Sequence, residues 1–237
     1  MAQSDTTHDH WPQVLSAVRV LAPRVAAAKA AWAEGIALAG AGFHGEAAAA
    51  WLRAQGAALD CFLDNHPAKQ GTECAGLPVV PVDRFAGRRA SFALVTARHA
   101  VTVLEAQLAA AHIPCLSYDA FFVCEHLERL EKMRNTLLSD DRSRVVLDHL
   151  LLTMLTGDRE YCRAVTEGNQ YFALPEFINV GTDHFVDAGA FVGDTVEKFI
   201  WANNGVFPKI YAFEPGPMQQ AAIQARVKRL AVEWAFD

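Results

Sequence analysis

Short apolar runs that stop on glycine organise this chain, and two of them share one layout. The first is Ile36-Ala37-Leu38-Ala39, which gives way at once to Gly40-Ala41-Gly42-Phe43-His44-Gly45. An alanine-rich stretch, 46–55, has helical spacing, and Leu59-Asp60-Cys61-Phe62-Leu63 then runs up to Asp64. The second is Phe185-Val186-Asp187-Ala188, turning through Gly189-Ala190-Phe191-Val192-Gly193 into Asp194, Thr195 and a helical stretch to Trp201. Its answering run, Ile210-Tyr211-Ala212-Phe213, stops on Glu214-Pro215. Brief apolar runs bounded by turn residues predict buried strands, and longer periodic stretches between them predict helices. Their alternation predicts an α/β chain with parallel sheets.

The remaining segments fill in around these units. Residues 11–33 read as an amphipathic helix with Val14, Leu15, Val18 and Leu21 or Val25 on one stripe, which Pro23 should kink or divide. Residues 92–96 predict a strand, 100–111 a helix, and Ile113-Pro114-Cys115-Leu116 a last short strand. From about Ala120 the spacing turns helical. One helix is expected over 121–138 (Leu127, Leu130, Met133, Leu137), a second over 142–155 (Val146, Leu147, Leu150, Leu151, Met154) and a third over 158–167. Asp140-Asp141 has the look of an N-cap, and Gly157 and Gly168 of stops. Glu125, Glu128 and Glu131 read as a solvated face. A strand or loop from Tyr171-Phe172 to Phe177, a turn at Gly181-Thr182-Asp183-His184 and a final helix over 217–232 complete the pattern. The expected organisation is an N-terminal helical segment (1–34), a Rossmann-like parallel-sheet domain (35–119), a helical connector (120–170) and a last region (171–237).

Composition narrows the class. With 237 residues, a 52% hydrophobic share and 20% charged residues, the chain can bury a core and is not of the disordered type. A net charge of −6 without a basic block argues against a nucleic-acid partner. Charges and glycines interrupt the apolar stretches short of a membrane span, and the polar first ten residues lack a secretory core, so a cytoplasmic protein with no membrane association is expected. The five cysteines (61, 74, 115, 124 and 162) form no Cys-x-x-Cys pair, which predicts free thiols and no metal. His8, Asp9 and His10 read as a polar terminus rather than a metal cluster.

Gly40, Gly42 and Gly45 follow the G-x-G-x-x-G spacing in a strand–turn–helix setting, with Asp64 about twenty residues further on. Such glycines let backbone approach a phosphate, and the acid can accept a ribose diol; they serve equally for tight helix–strand packing. NAD or a nucleotide-sugar is therefore a candidate ligand here. His44, His66 and His99 fall on loops or helix starts beside that position. Residues 64–82, with Asp64-Asn65-His66-Pro67 and Gly76-Leu77-Pro78-Val79-Val80, make 35–118 similar to small Rossmann-like domains of sugar- and nucleotide-sugar-modifying enzymes; there the acid opens a loop that returns through the Gly-hydrophobic-Pro-Val turn.

The second layout carries the stronger resemblance. Asp187-Ala188-Gly189-Ala190-x-x-Gly193-Asp194-Thr195, followed by Tyr211-Ala212-Phe213-Glu214-Pro215, resembles the first two motifs of S-adenosylmethionine-dependent methyltransferases, and its Gly-Asp-Thr and Phe-Glu-Pro variant resembles the FkbM family. That resemblance covers 171–237 and implies O-methylation of a sugar or natural-product hydroxyl, with a small-molecule or glycan acceptor. It implies that Asp187, Gly189 and Ala190 line the methionine part of the cofactor. Gly193, Asp194 and Thr195 would open the helix, with Asp194 or Asp187 on the ammonium, and Glu214 would bind the ribose diol. No catalytic base is identified. The family's pattern continues with further strands where this chain has one helix before Asp237. The expectation is a truncated product, weakly active or inactive alone, with an uncovered sheet edge.

Two other functions compete. A nucleotide-sugar or dinucleotide binding module would use the 35–119 domain. An NAD-dependent oxidoreductase would lack a Tyr-x-x-x-Lys or His–Asp hydride apparatus and ranks last. The connector's leucine stripe fits packing on a neighbouring domain, or alternatively a homo-oligomer seam.

Overall fold

The computed structural model describes residues 9–168, 171–174, 176, 178 and 182–236. They fall into two units, Met1–Thr166 and Glu167–Asp237. Phe177, Gly181 and Asp237 of the segments above, and His8 of the N-terminal cluster, lie outside the described residues.

The first unit is built outward from its most apolar run. In chain order it contains α1 (Trp11–Ala30), β1 (Ile36–Ala39), α2 (Phe43–Ala54), β2 (Leu59–Leu63), β3 (Glu73–Cys74), β4 (Leu77–Val80), β5 (Phe92–Val95), α3 (Val101–Ala110), β6 (Cys115–Ser117), α4 (Tyr118–Glu125), α5 (Leu127–Thr136), α6 (Asp141–Thr156) and α7 (Glu160–Val165). The sheet order is β3-β4-β2-β1-β5-β6, parallel throughout except for the β3–β4 pair. All four residues of β1 are buried, as a central parallel strand covered on both faces requires. Ile36 and Leu38 join the core shared with α1, α2, α4 and α6, whereas Ala37 and Ala39 face the core that holds Leu108 of α3. The chain runs from β1 to one side of the sheet and returns to the other side at β5. The loops after β1 and β5 therefore diverge, and a crevice opens between them at the strands' C-terminal ends.

Several elements differ from their sequence expectation. Pro23 does not divide α1, which continues through it with Trp11, Val14, Leu21, Val25 and Ala28 buried; burial of that face outweighs one lost backbone bond. The Gly-Leu-Pro-Val-Val segment is not only a turn, because Leu77–Val80 is a sheet strand paired with both β2 and β3. The helix expected over 121–138 is two helices, interrupted at His126, whose Nδ1 sits 2.9 Å from the Phe122 carbonyl oxygen.

The buried face of α6 is also rotated from expectation. Val145, Asp148, His149, Leu151, Leu152 and Leu155 are buried, while Val146 and Leu150 are exposed. Two polar residues go inside because each finds a partner: Arg134 for Asp148, and the Tyr161 carbonyl for His149 Nδ1. The ends of α6 follow the sequence. Asp140 Oδ1 accepts from the Ser143 N–H at 2.8 Å, and Gly157 ends the helix at φ +74. Glu125 and Glu131 are not merely solvated; Glu125 pairs with Lys29 and Glu131 accepts from Trp11 Nε1.

The second unit contains β7 (Phe185–Ala188), α8 (Asp194–Ala202), β8 (Ile210–Phe213) and α9 (Pro217–Trp234). β7 and β8 pair in parallel from Phe185↔Ile210 to Ala188↔Phe213. Val196, Ile200 and Leu230 form the buried core, and Phe185 stacks on Phe199 at 4.2 Å. Glu197 of α8 is bridged by Arg226 and Arg229 of α9. Among the described residues, no helix is long and apolar enough to cross a membrane.

Candidate functional site

In the second unit the loop after β7 is shaped by its glycines and held by Glu214. Gly189 (φ +95) and Gly193 (φ +77) occupy left-handed backbone that side chains rarely adopt. The Gly189 and Ala190 N–H groups donate to the Phe213 carbonyl at 2.8 and 3.0 Å, which binds the loop to the end of β8. Ala190 is buried beneath the loop. Phe191 sits at φ +46, an unfavourable conformation for a side-chain-bearing residue, and its N–H donates to Glu214 Oε2 at 3.0 Å. The other oxygen of Glu214 accepts from the Gly216 N–H at 2.9 Å. Gly193 is the N-cap of α8, and Asp194 and Thr195 are its first residues, without a side-chain cap.

Asp187 closes this arrangement. It is the last residue but one of β7, with Oδ2 buried and without a hydrogen-bond partner. Burial, and secondly the neighbouring Asp194, push its carboxyl above the ordinary carboxylate range. Two acids beside an orphaned oxygen favour a cationic group between them. Space is available, since a Cβ on Gly189 would meet nothing within 4 Å. Asp187, Gly189, Ala190, Gly193, Asp194, Thr195 and Glu214 thus gather around the turn between β7 and α8.

The first unit repeats the device. Gly40 (φ +118) makes the turn after β1, and a Cβ on Gly45 would lie 2.2 Å from the Gly40 carbonyl oxygen. Gly42 differs from both, with extended backbone (φ −145) and open space around it. Asp64, at the end of β2, reaches back to this loop: Oδ2 accepts from the Ala41 N–H at 2.9 Å and from Lys69 Nζ at 3.1 Å, and Oδ1 accepts from the His66 N–H at 2.9 Å. Burial alone would raise the Asp64 carboxyl, but the His66 and Ala41 N–H groups and Lys69 outweigh it and hold it below its ordinary value. Lys69 also donates to the Ala41 carbonyl at 2.7 Å. The acid expected to meet a ribose diol is already engaged with protein.

A cleft of about 400 Å³ lies over this loop at the crevice between β1 and β5. Gly40, Gly42, Gly45 and Asp64 all line it, as do His44, His66 and His99. Thr96 closes its floor by donating to the Ala39 and Gly40 carbonyls. Lys69 and Thr96 are contributors that the sequence reading passed over. Lys69 stood five residues after the acid, within reach of it on a returning loop, and Thr96 was the polar end of an apolar strand.

No family model matches the chain, and no curated protein matches it. A solved structure does: the crystal structure of Methyltransferase FkbM from Methylobacillus flagellatus KT is similar to this one with a TM-score of 0.51 and 19% sequence identity, over 93% of this chain and 68% of that one. The likeness is structural, not by sequence. It establishes a mixed α/β, mostly parallel, methyltransferase-like fold.

Proposed function

We propose that the second unit carries the cofactor-binding part of an S-adenosylmethionine-dependent methyltransferase that O-methylates a sugar or natural-product hydroxyl. The observation that carries this reading is the orphaned Asp187 Oδ2 beside Asp194, under a glycine turn open at Gly189. The residues fit the cofactor, whose methionine part bears an ammonium and a sulfonium. Asp187 and Asp194 would hold the ammonium, Gly189 would admit the chain of the ligand against the backbone, and Glu214, whose two oxygens each accept one backbone N–H, would take the ribose diol through their remaining lone pairs. When bound, the cofactor supplies a methyl group already activated for transfer, so this chain's task is to orient it. No residue is assigned to take the acceptor's proton.

Asp187→Asn separates binding from stability. Its carboxyl has a folded value above the unfolded one, so ionisation opposes folding, and the penalty sets in as pH rises through the folded value. At neutral pH the variant is expected to melt slightly above the parent. It should also bind S-adenosylmethionine at least about tenfold more weakly by calorimetry, as should Glu214→Ala. In the parent, affinity should fall as pH drops through the Asp187 range and the carboxyl is neutralised. Unchanged affinity in Asp187→Asn would sink the reading.

A second reading, a ligand-binding module in the first unit, is favoured by one specific observation, the cleft over Gly40, Gly42 and Gly45.

A further inference from the structure

We propose that the cleft of the first unit binds a phosphorylated small molecule, a phosphate ester of a sugar or nucleoside. Its phosphate would sit on the imidazole-bearing rim, and its ring would extend into an adjoining aromatic groove. This site deepens the ligand-module reading, on which it rests, and is independent of the methyltransferase reading.

The charge balance of the cleft selects the ligand. Among the described residues its lining holds one carboxylate, Asp64, already matched by Lys69, and the guanidinium of Arg98, which makes a two-point contact with Asp119 of the adjoining groove at 2.8 and 2.9 Å. The other titratable side chains in the lining are the imidazoles of His44, His66 and His99. His66 Nδ1 accepts from the Ala68 N–H at 3.3 Å, so its neutral ring carries the proton on Nε2 and donates from there. A cleft whose acid is neutralised, and whose remaining polar side chains include donors, suits an anion. It does not suit a cation.

The shape adds the ring. His44, Thr96 and Arg98 line both this cleft and a second groove of about 260 Å³. The second groove is walled by Trp51, Tyr118 and Phe122, which meet edge-on or tilted with centroids 5.6 to 6.3 Å apart. The Tyr118 hydroxyl has no hydrogen-bond partner among the described residues. An aromatic wall with a spare hydroxyl is a surface for a sugar or base ring. At the mouth, Phe43 and Val103 stand 80% and 68% exposed, apolar area that a ligand would cover. Gly42 keeps the opening clear. Its backbone would accept a side chain, a Cβ there would meet nothing within 4 Å, and the residue lines the cleft.

The test uses the full chain and calorimetric titration with UDP-glucose, ADP, glucose 6-phosphate and inorganic pyrophosphate, with uridine and glucose as unphosphorylated controls. Gly42→Asp is the key variant. Aspartate is a good N-cap for α2, so the variant should melt at or above the parent, while its carboxylate blocks the opening and repels phosphate. At least one phosphorylated probe is expected to bind, and at least about tenfold more weakly in Gly42→Asp. Tyr118→Phe should weaken only probes that carry a ring, leaving inorganic pyrophosphate unaffected. Whether the nucleotides or glucose 6-phosphate bind names the source of the phosphate. Binding of uridine or glucose as tight as that of their phosphorylated forms, no binding of any phosphorylated probe, or unchanged binding to folded Gly42→Asp would each overturn the site. S-adenosylmethionine titrated on the same samples reports the second unit separately, since Gly42→Asp should leave it untouched.

Discussion

Replacing Gly45 with valine is expected to destabilise the first unit more than any other single change at its glycine loop. A Cβ at this position would lie 2.2 Å from the Gly40 carbonyl oxygen and 2.8 Å from Phe62 Cε1, with Thr96 Oγ1 at 3.2 Å. The nearest atom is backbone, fixed by the Gly40 N–H bond to the Leu63 carbonyl at 2.8 Å and by the Thr96 contact to the Gly40 carbonyl. No rotamer relieves that clash, so α2 would have to lift off β1 and uncover Ala48, Ala49 and Leu52, all buried against the sheet. Overpacking commonly costs about 1–3 kcal/mol, and a clash with fixed backbone belongs at or above the upper end. At about 2–4 °C per kcal/mol for a unit of this size, the melting temperature should drop by roughly 6–12 °C or more. Gly42, three residues earlier with open space and ordinary backbone, is the internal control: there a side chain should cost the fold little. A Gly45→Val chain that melts within about 2 °C of the parent would show that α2 does not depend on this contact.

The contrast between those glycines marks how far the sequence could be read. Spacing located both strand–turn–helix–strand units, because a strand's length, a glycine at a turn and a helical period are local properties. It could not assign the acids. Spacing alone presents Asp64 and Glu214 alike as ribose acceptors, yet each carboxylate reaches back across its unit to a loop amide, Ala41 in one and Phe191 in the other. The same interval serves a ligand and a loop staple, and only the folded backbone distinguishes them. Glu214 spends one oxygen on the loop and one on Gly216, while Asp64 adds a lysine. Sheet strand β4 was missed for a related reason. Two residues of pairing with β2 are set by tertiary contact, and its proline suggested a turn. The break at His126 and the rotated face of α6 share this cause, since a polar residue joins a core only when its partner, distant in sequence, is present.

Arg134→Met should show how much that last effect is worth. Asp148 is wholly buried on α6, and Arg134 of α5 holds it with Nε–Oδ1 at 2.7 Å and Nη2–Oδ2 at 2.9 Å. The same guanidinium reaches Asp9 Oδ1 at 2.7 Å and lies 5.4 Å from the centre of the Trp11 ring, so one side chain ties α5, α6 and the start of α1 together. The hydrogen bonds it donates to Asp148 hold the guanidinium above its ordinary value, in keeping with a pair that stays ionised. Removing the arginine leaves a buried carboxylate with no compensating charge, which costs about 3–5 kcal/mol, whereas replacing both partners with apolar residues of similar volume is often neutral. The expected result in urea melts is therefore a steep loss for Arg134→Met and a smaller one for Arg134→Met combined with Asp148→Leu. That ordering would mean the pair is needed mainly because Asp148 is buried, and that α5, which buries no residue completely, is held to the unit by its charge. A loss below about 1 kcal/mol in the single variant would place the pair among surface-type ion pairs, and α5 would then have to be held by its partly buried Leu127 and Leu130 instead.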